Sequence, residues 1–279
     1  MPELPEVEVI RRGLSPHLQG RKIESIGYNG KKLRTDVPIE MMRDRLSGAT
    51  ITEVGRRAKY LLFPTDRHDL LIIHLGMTGN LGLFKQGSTA ATHDHLSFLL
   101  DNHLELRFND TRRFGSVHLL TKKETQNMED TFFSTTGPEP FSDVCTAHYL
   151  KKRAGKSTQA IKTFIMNSSI IAGVGNIYAN ESLFNANIHP LTPAGKLTLK
   201  EWQHLIEQIR EILNWAIKCG GSTISDFINA SGQRGYFQAN FRVYGRNGEP
   251  CKSCSTSLGK TVINGRASFF CPQCQRQKK

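Results

Sequence analysis

The sequence predicts an α+β protein whose chain passes through antiparallel strands, then helices, then a short β-hairpin. Three observations predict it. Between about residues 50 and 120 the apolar residues fall into short runs of strand length: KYLLF, DLLIIHL, HLSFLL, LELRF and GSVHLL. Further on, TLKEWQHLIEQIREILNWAIKCGG carries apolar residues at helical spacing. Near the end, two pairs of cysteines bracket an Asn-Gly turn flanked by strand-like residues.

The first element is a helix that begins within MPELPEVE. Pro5 suits the first turn of a helix, where its missing N–H has no partner to lose. Glu6 and Glu8 suit the positive end of the helix dipole. Leu4, Val7, Ile10 and Leu14 form an apolar stripe, and Gly13 followed by Pro16 is expected to close the helix. Pro2 and Glu3 lie ahead of it, and helix formation alone does not account for them.

The strand runs come next. HLSFLL and LELRF are joined by Asp101-Asn102-His103, a hairpin connection, and so many strands in so short a span predict a sandwich or a barrel. TTGPEPF (Thr135–Phe141) reads as a linker. In IAGVGNIYANESLF, Gly173 and Gly175 precede a helix beginning near Asn176, so backbone N–H groups there can approach a phosphate closely. The long helix opens with a Thr198/Glu201 capping box. Leu199, Trp202, Leu205, Ile206, Ile209, Leu213 and Ile217 make its apolar face, and Gly220-Gly221 ends it.

The terminal hairpin is TVI-Asn264-Gly265-Arg266-ASFF. Cys251 and Cys254 in CKSC, then Cys271 and Cys274 in CPQC, have the C-x2-C…C-x2-C spacing of a tetrahedral zinc site. Disulfides are the competing use, and a reducing compartment disfavours them. Four thiolates leave no open coordination position, so one structural zinc is expected. It would clamp the hairpin and leave Arg266 projecting from a rigid tip, well placed to grip a phosphate.

Composition narrows the partners. No apolar run approaches the roughly 20 residues that span a bilayer, so no membrane partner is expected. The first residues are acidic rather than basic-then-apolar, so a secretory signal is not expected and a cytoplasmic location is. A net charge of +12, clustered in RRGLSPHLQGRK, GRRAK, TRRF, KKRAGK and QRQKK, favours a polyanion, and nucleic acid above all. Two loops at strand ends fit that partner. HLGMTG (His74–Gly79) and NDTRRFG (Asn109–Gly115) offer Met77 and Phe114 as apolar wedges beside Arg112. Wedges of this kind part a base stack, and an arginine can bond the base left behind.

Taken together, PELPEVE, KYLL, HLGMTG, NDTRRFG, AGVGNIYANE, GGSTISDF, GYFQ, VYGRNGEPC and CPQCQ resemble bacterial formamidopyrimidine-DNA glycosylase over nearly the whole chain. The resemblance implies an N-terminal β-sandwich with the first helix (1–135), a helix–two-turns–helix module (136–235) and a zinc finger (236–279), with DNA between the halves. It implies a monomeric enzyme of the bacterial nucleoid acting on double-stranded DNA that contains oxidised purines such as 8-oxoguanine. Base excision would be followed by β- and δ-elimination.

By the same resemblance Met1 is removed and Pro2 becomes the attacking secondary amine. Glu3 is general acid and base, Glu6 supports the site, Lys59 donates a proton in β-elimination, and Arg266 holds phosphate and assists δ-elimination. His74, His93, Lys156 and Asn176 would contact DNA. Met77, Arg112 and Phe114 would fill the void, with Arg112 reading the orphaned cytosine. GGSTISDFINASGQRGYFQ would close over the everted base. Ser157 and Thr158 stand where relatives often carry lysine or arginine, and Ser222 and Ser225 depart from the commoner form of the closing loop. An oxidised-pyrimidine enzyme similar to endonuclease VIII and a catalytically silent damage-binding protein are the alternatives. Leu4 and the Met77/Arg112/Phe114 set favour the purine branch.

Overall fold

Leu4, Val7, Ile10, Leu14 and Leu18 are all essentially buried, and they line one face of the first helix, α1 (Leu4–Leu18). The helix therefore runs past Gly13 and contains Pro16, contrary to the expected end. Burying Leu18 at the end of the stripe offsets the hydrogen bond that proline removes, and Gln19 N–H still reaches Ser15 O at 3.1 Å. The structure, a computed structural model, describes residues 2–221 and 241–277. Among these residues no helix is long and apolar enough to cross a membrane. The expected closing loop lies outside the described residues, apart from Gly220 and Gly221.

The described chain divides into two compact units, residues 2–134 and residues 135–221 with 241–277. In the first, α1 is followed by β1 (Ile23–Tyr28), α2 (Ile39–Leu46), β2 (Gly55–Arg57), β3 (Tyr60–Pro64), β4 (Leu70–His74), β5 (Gly79–Lys85), β6 (Asp94–Leu100), β7 (Leu104–Asp110), β8 (Ser116–Leu120) and the short α3 (Lys122–Gln126). The strands make two separate four-stranded antiparallel sheets, ordered β1-β6-β7-β5 and β2-β3-β4-β8. That settles sandwich against barrel.

Strand periodicity sorts the side chains of the second sheet. Leu61, Phe63, Leu71, Ile73, Val117 and Leu119 join the main core with Phe98, Leu106 and Phe108 of the first sheet and the stripe of α1. Their neighbours Leu62, Leu70 and Ile72 point the other way and pack on Phe133. The expected β6–β7 hairpin is present, with His103 at φ 60° making its turn.

The second unit holds α4 (Ala147–Ala154), α5 (Ile161–Met166), α6 (Asn176–Asn185), α7 (Leu199–Lys218), β9 (Gly259–Ile263) and β10 (Arg266–Phe270). In the capping box of α7, Thr198 N–H donates to Glu201 Oε2 at 2.8 Å and Glu201 N–H returns to Thr198 Oγ1 at 3.3 Å. At its other end Gly221 N–H bonds Ala216 O and Gly220 N–H bonds Ile217 O, the paired bonds of a Schellman stop. Ile212 and Ala216 lie on its buried face, whereas Leu199 is 40% exposed because it begins the helix before the axis reaches the core.

Side chains tie the hairpin to the helices within this unit. Glu181 of α6, 1% exposed, accepts the N–H groups of Arg242, Val243 and Tyr244 at 2.9, 2.9 and 2.7 Å. Burial still pushes its carboxyl up, against those three bonds. Asn180 Oδ1 accepts the N–H of Phe269 at 2.7 Å, and Gln275 Nε2 donates to Ile188 O at 2.8 Å.

Candidate functional site

Glu3 caps α1 in extended conformation, 1% exposed, and its N–H donates to Glu6 Oε2 at 2.8 Å. Glu3 and Glu6 thus share one reciprocal capping box, and Pro2 sits half-buried one residue ahead of it. The same geometry that starts the helix fixes Glu3 beside Pro2 along the chain.

Lys59 occupies the two-residue turn between β2 and β3, where Arg57 pairs with Tyr60. Its turn partner Ala58 has φ 54°, a left-handed conformation uncommon for alanine. Strand pairing sets Tyr60 opposite His74, with ring centroids 4.7 Å apart. His74 is pushed down to about 4, first by burial and then by the charges of Lys59, Arg34 and His118. Lys59 and His74 are therefore neighbours, and Arg34, which sequence reasoning missed, adds its charge to the same place.

The two expected loop motifs are laced together. Asp110, fully buried, accepts Thr78 Oγ1–H on one carboxylate oxygen and the N–H of Gly115 at 2.7 Å on the other. Arg112 N–H donates to Thr78 Oγ1 at 3.0 Å. Gly76, at φ 63°, lies so close to Phe114 and Gly115 that a Cβ there would overlap their backbone. On this frame Met77 is half-buried, and Phe114 is 45% exposed rather than a core residue. The exposed Arg112 guanidinium stacks 4.6 Å from the Phe114 ring centroid. His93 is half-buried beside the same frame, its carbonyl accepting the N–H of Asp110 at 3.0 Å. Asp110 carries no periodic signal, and only its place in NDTRRFG could have pointed to it.

In the second unit Asn176 is the first residue of α6, with Gly173 at φ 95° shaping the approach. Asn180 Nδ2 donates to Asn176 O at 2.6 Å while its Oδ1 holds β10, so one side chain joins the start of α6 to the strand that begins with Arg266. Arg266 is exposed at the hairpin tip, where Asn264 (φ 46°) and Gly265 (φ 70°) make a type I′ turn. Below it, buried Lys162 donates to Ala267 O and Ser268 Oγ, each at 2.7 Å. Lys156 is exposed on the loop after α4, and no hydrogen bond among the described residues connects it with Asn176 or Arg266.

The ligand sulfurs of Cys251, Cys254, Cys271 and Cys274 lie within 4.8 Å of one another. The separations of Cys254–Cys271, Cys254–Cys274 and Cys251–Cys274 are 3.5, 3.5 and 4.0 Å. Tetrahedral zinc with sulfurs at about 2.3 Å requires about 3.8 Å between them, so the set fits the ion. The N–H groups of Ser253 and Cys274 approach Cys251 Sγ and Cys271 Sγ at 3.4 Å, which orients the thiolates. The four cysteines hold one structural zinc.

Three family models match successive stretches of the chain. Residues 1–117 match the formamidopyrimidine-DNA glycosylase N-terminal domain, 136–228 the H2TH domain of the same enzyme, and 248–277 a zinc finger found in FPG and IleRS. The formamidopyrimidine-DNA glycosylase of Hydrogenovibrio crunogenus is 47% identical, over 99% of this chain and 97% of its own. A Lactococcus lactis FPG mutant solved with Fapy-dG containing DNA is 34% identical, with TM-score 0.90, covering 99% of this chain and 100% of that one. Wild-type Lactococcus lactis FPG solved with oxidised-pyrimidine containing DNA is 35% identical, with TM-score 0.89 and the same coverage.

Proposed function

The chain belongs to the formamidopyrimidine-DNA glycosylase family, and from that premise we propose that this DNA-repair glycosylase is bifunctional, excising oxidised purines and then nicking the abasic strand. The observation that carries the purine reading is the exposed Arg112–Phe114 stack on the frame laced by Asp110. A fork of donors held beside an apolar wedge suits the base left behind when its partner is extruded. When that base is cytosine, the extruded one derives from guanine.

With Met1 removed, the Pro2 amine is a secondary α-amine, whose pKa of about 8 leaves a useful neutral fraction near neutrality. It attacks C1′, the bond from C1′ to the base breaks, and the base departs with a proton supplied from Glu3. The amine gives up its proton to Glu3, the C1′–O4′ bond breaks as that proton passes to O4′, and the iminium so formed at C1′ withdraws electrons from the opened sugar. Loss of a proton from C2′ then expels the 3′ phosphate, and a second elimination expels the 5′ phosphate. In this reading Lys59 and Arg266 serve the two eliminations. His74, His93, Lys156 and Asn176 hold the strands, with Glu6 fixing Glu3.

The test is borohydride trapping on a duplex with one 8-oxoguanine opposite cytosine, followed by mass mapping of the cross-link. The expected result is a covalent adduct at Pro2. An adduct formed only on a duplex carrying an oxidised pyrimidine would overturn the purine reading. Tight binding with no adduct on either duplex would overturn the proline chemistry.

A further inference from the structure

Glu8 has no part in these roles, yet its carboxylate bonds three guanidiniums. It is 8% exposed and meets Arg11 at 2.8 Å, Arg12 at 2.7 Å and, from a different element, Arg56 Nε at 3.1 Å. Burial alone would push this carboxyl up, but hydrogen bonds from the three guanidiniums outweigh it and bring it down to about 2. Glu8 is therefore an anion at any working pH, and its bonds are charge-assisted.

Arg56 continues the chain of contacts. Its Nη1 donates to the carbonyl of Ala58 at 2.9 Å, while its Nε faces Glu8. One planar fork thus joins α1 to the tight turn whose two residues are Ala58 and Lys59. The turn is of an unusual kind, because Ala58 lies at φ 54°, where glycine is the ordinary choice. A left-handed alanine persists where surrounding bonds over-determine it, and such positions gather at functional sites. Glu3 caps the same end of that helix, between one and two turns before Glu8.

We propose that Glu8 and Arg56 are positioning residues, a clamp that fixes the Lys59 turn against the helix bearing Pro2 and Glu3. Neither residue touches the reacting atoms. They act by setting where the Lys59 amine stands relative to the helix start, and the inference rests on the elimination role proposed for Lys59.

The experiment uses the full-length zinc-loaded protein and a duplex with a preformed abasic site. Single-turnover nicking rates, duplex Kd and thermal midpoints are measured for Glu8→Gln, Arg56→Lys, Lys59→Ala and the two double variants with Lys59→Ala. Arg56→Lys keeps the charge, but one ammonium cannot serve both Glu8 and the Ala58 carbonyl, so it tests the link even where Glu8→Gln fails to fold. The expected result is a fall in nicking rate of about tenfold for each clamp variant, Kd within about twofold, and less than about twofold further loss in the Lys59→Ala background. Full loss in that background would show an effect reaching the site by another route, and would overturn the clamp. Wild-type rates in both clamp variants, with Lys59→Ala slow, would overturn the clamp alone. A wild-type rate for Lys59→Ala would overturn the reading of Lys59 and the clamp with it.

Discussion

The Nδ1 of His74 accepts the N–H of Gly76 at 3.0 Å, which leaves Nε2 as the protonated nitrogen of a neutral ring. With its pKa brought down to about 4, His74 carries an N–H donor and no charge near neutral pH, and in the proposed DNA-contacting role it would offer only that donor. Its contribution to affinity is therefore expected to stay level between about pH 5.5 and 8. The folding equilibrium shows the opposite behaviour. The unfolded chain takes up a proton near 6.5 that the folded one refuses until about 4, so stability is fullest above 6.5 and falls as pH drops through that window. Urea unfolding at several pH values, in the parent and in His74→Gln, checks this; a slope unchanged by the substitution would refute it. Nothing in HLGMTG alone tells which charge state His74 holds, because burial and the approach of Lys59 and Arg34 come from other parts of the chain.

Loops, turns and caps are readable to differing depths. The capping box of α7, the Asn264-Gly265 turn and the cysteine spacing are local signals, and each stands where the residues place it. Strands β1 and β5 and helix α2 carry weaker local patterns, and sequence reasoning passes over them. It also misses Asp110, Asn180 and the Glu8–Arg56 pair as organising residues, since each acts by bonding to groups that its own local pattern does not specify. Spacing rules report which face a residue shares, and they are silent on which backbone group or partner its side chain meets. At the scale of the paired loops, Gly76→Ala is expected to cost roughly 1–3 kcal/mol and to loosen Arg112. Its φ of 63° disfavours a side chain, and the added carbon would collide with the backbone of Phe114 and Gly115. A chemical melt showing parent stability would count against this lacing.

For the molecule as a whole, the net charge of +12 supplies attraction to DNA, while zinc supplies the shape of one binding part. The small core under the hairpin contains Phe184, Val243, Cys251, Leu258, Phe269 and Cys271, so two of its buried members are metal ligands. Chelating the ion is expected to unfold the hairpin and abolish duplex binding, while the sandwich core of the first unit, which contains no finger residue, stays folded. Gel shifts and near-ultraviolet dichroism before and after zinc is returned would check both halves. Undiminished binding by the stripped protein would contradict it. The hairpin tip also sets a chemical lifetime. Asn264-Gly265 makes the turn because both residues accept positive φ, glycine for lack of a Cβ, and that same missing side chain leaves the Gly265 nitrogen open to attack the Asn264 side-chain carbonyl. Ammonia leaves, water reopens the ring, and a carboxylate then stands two residues from Arg266, where a phosphate is expected to bind. An ageing molecule would thus lose its grip on the strand at the tip while its zinc, sheets and helices remained intact.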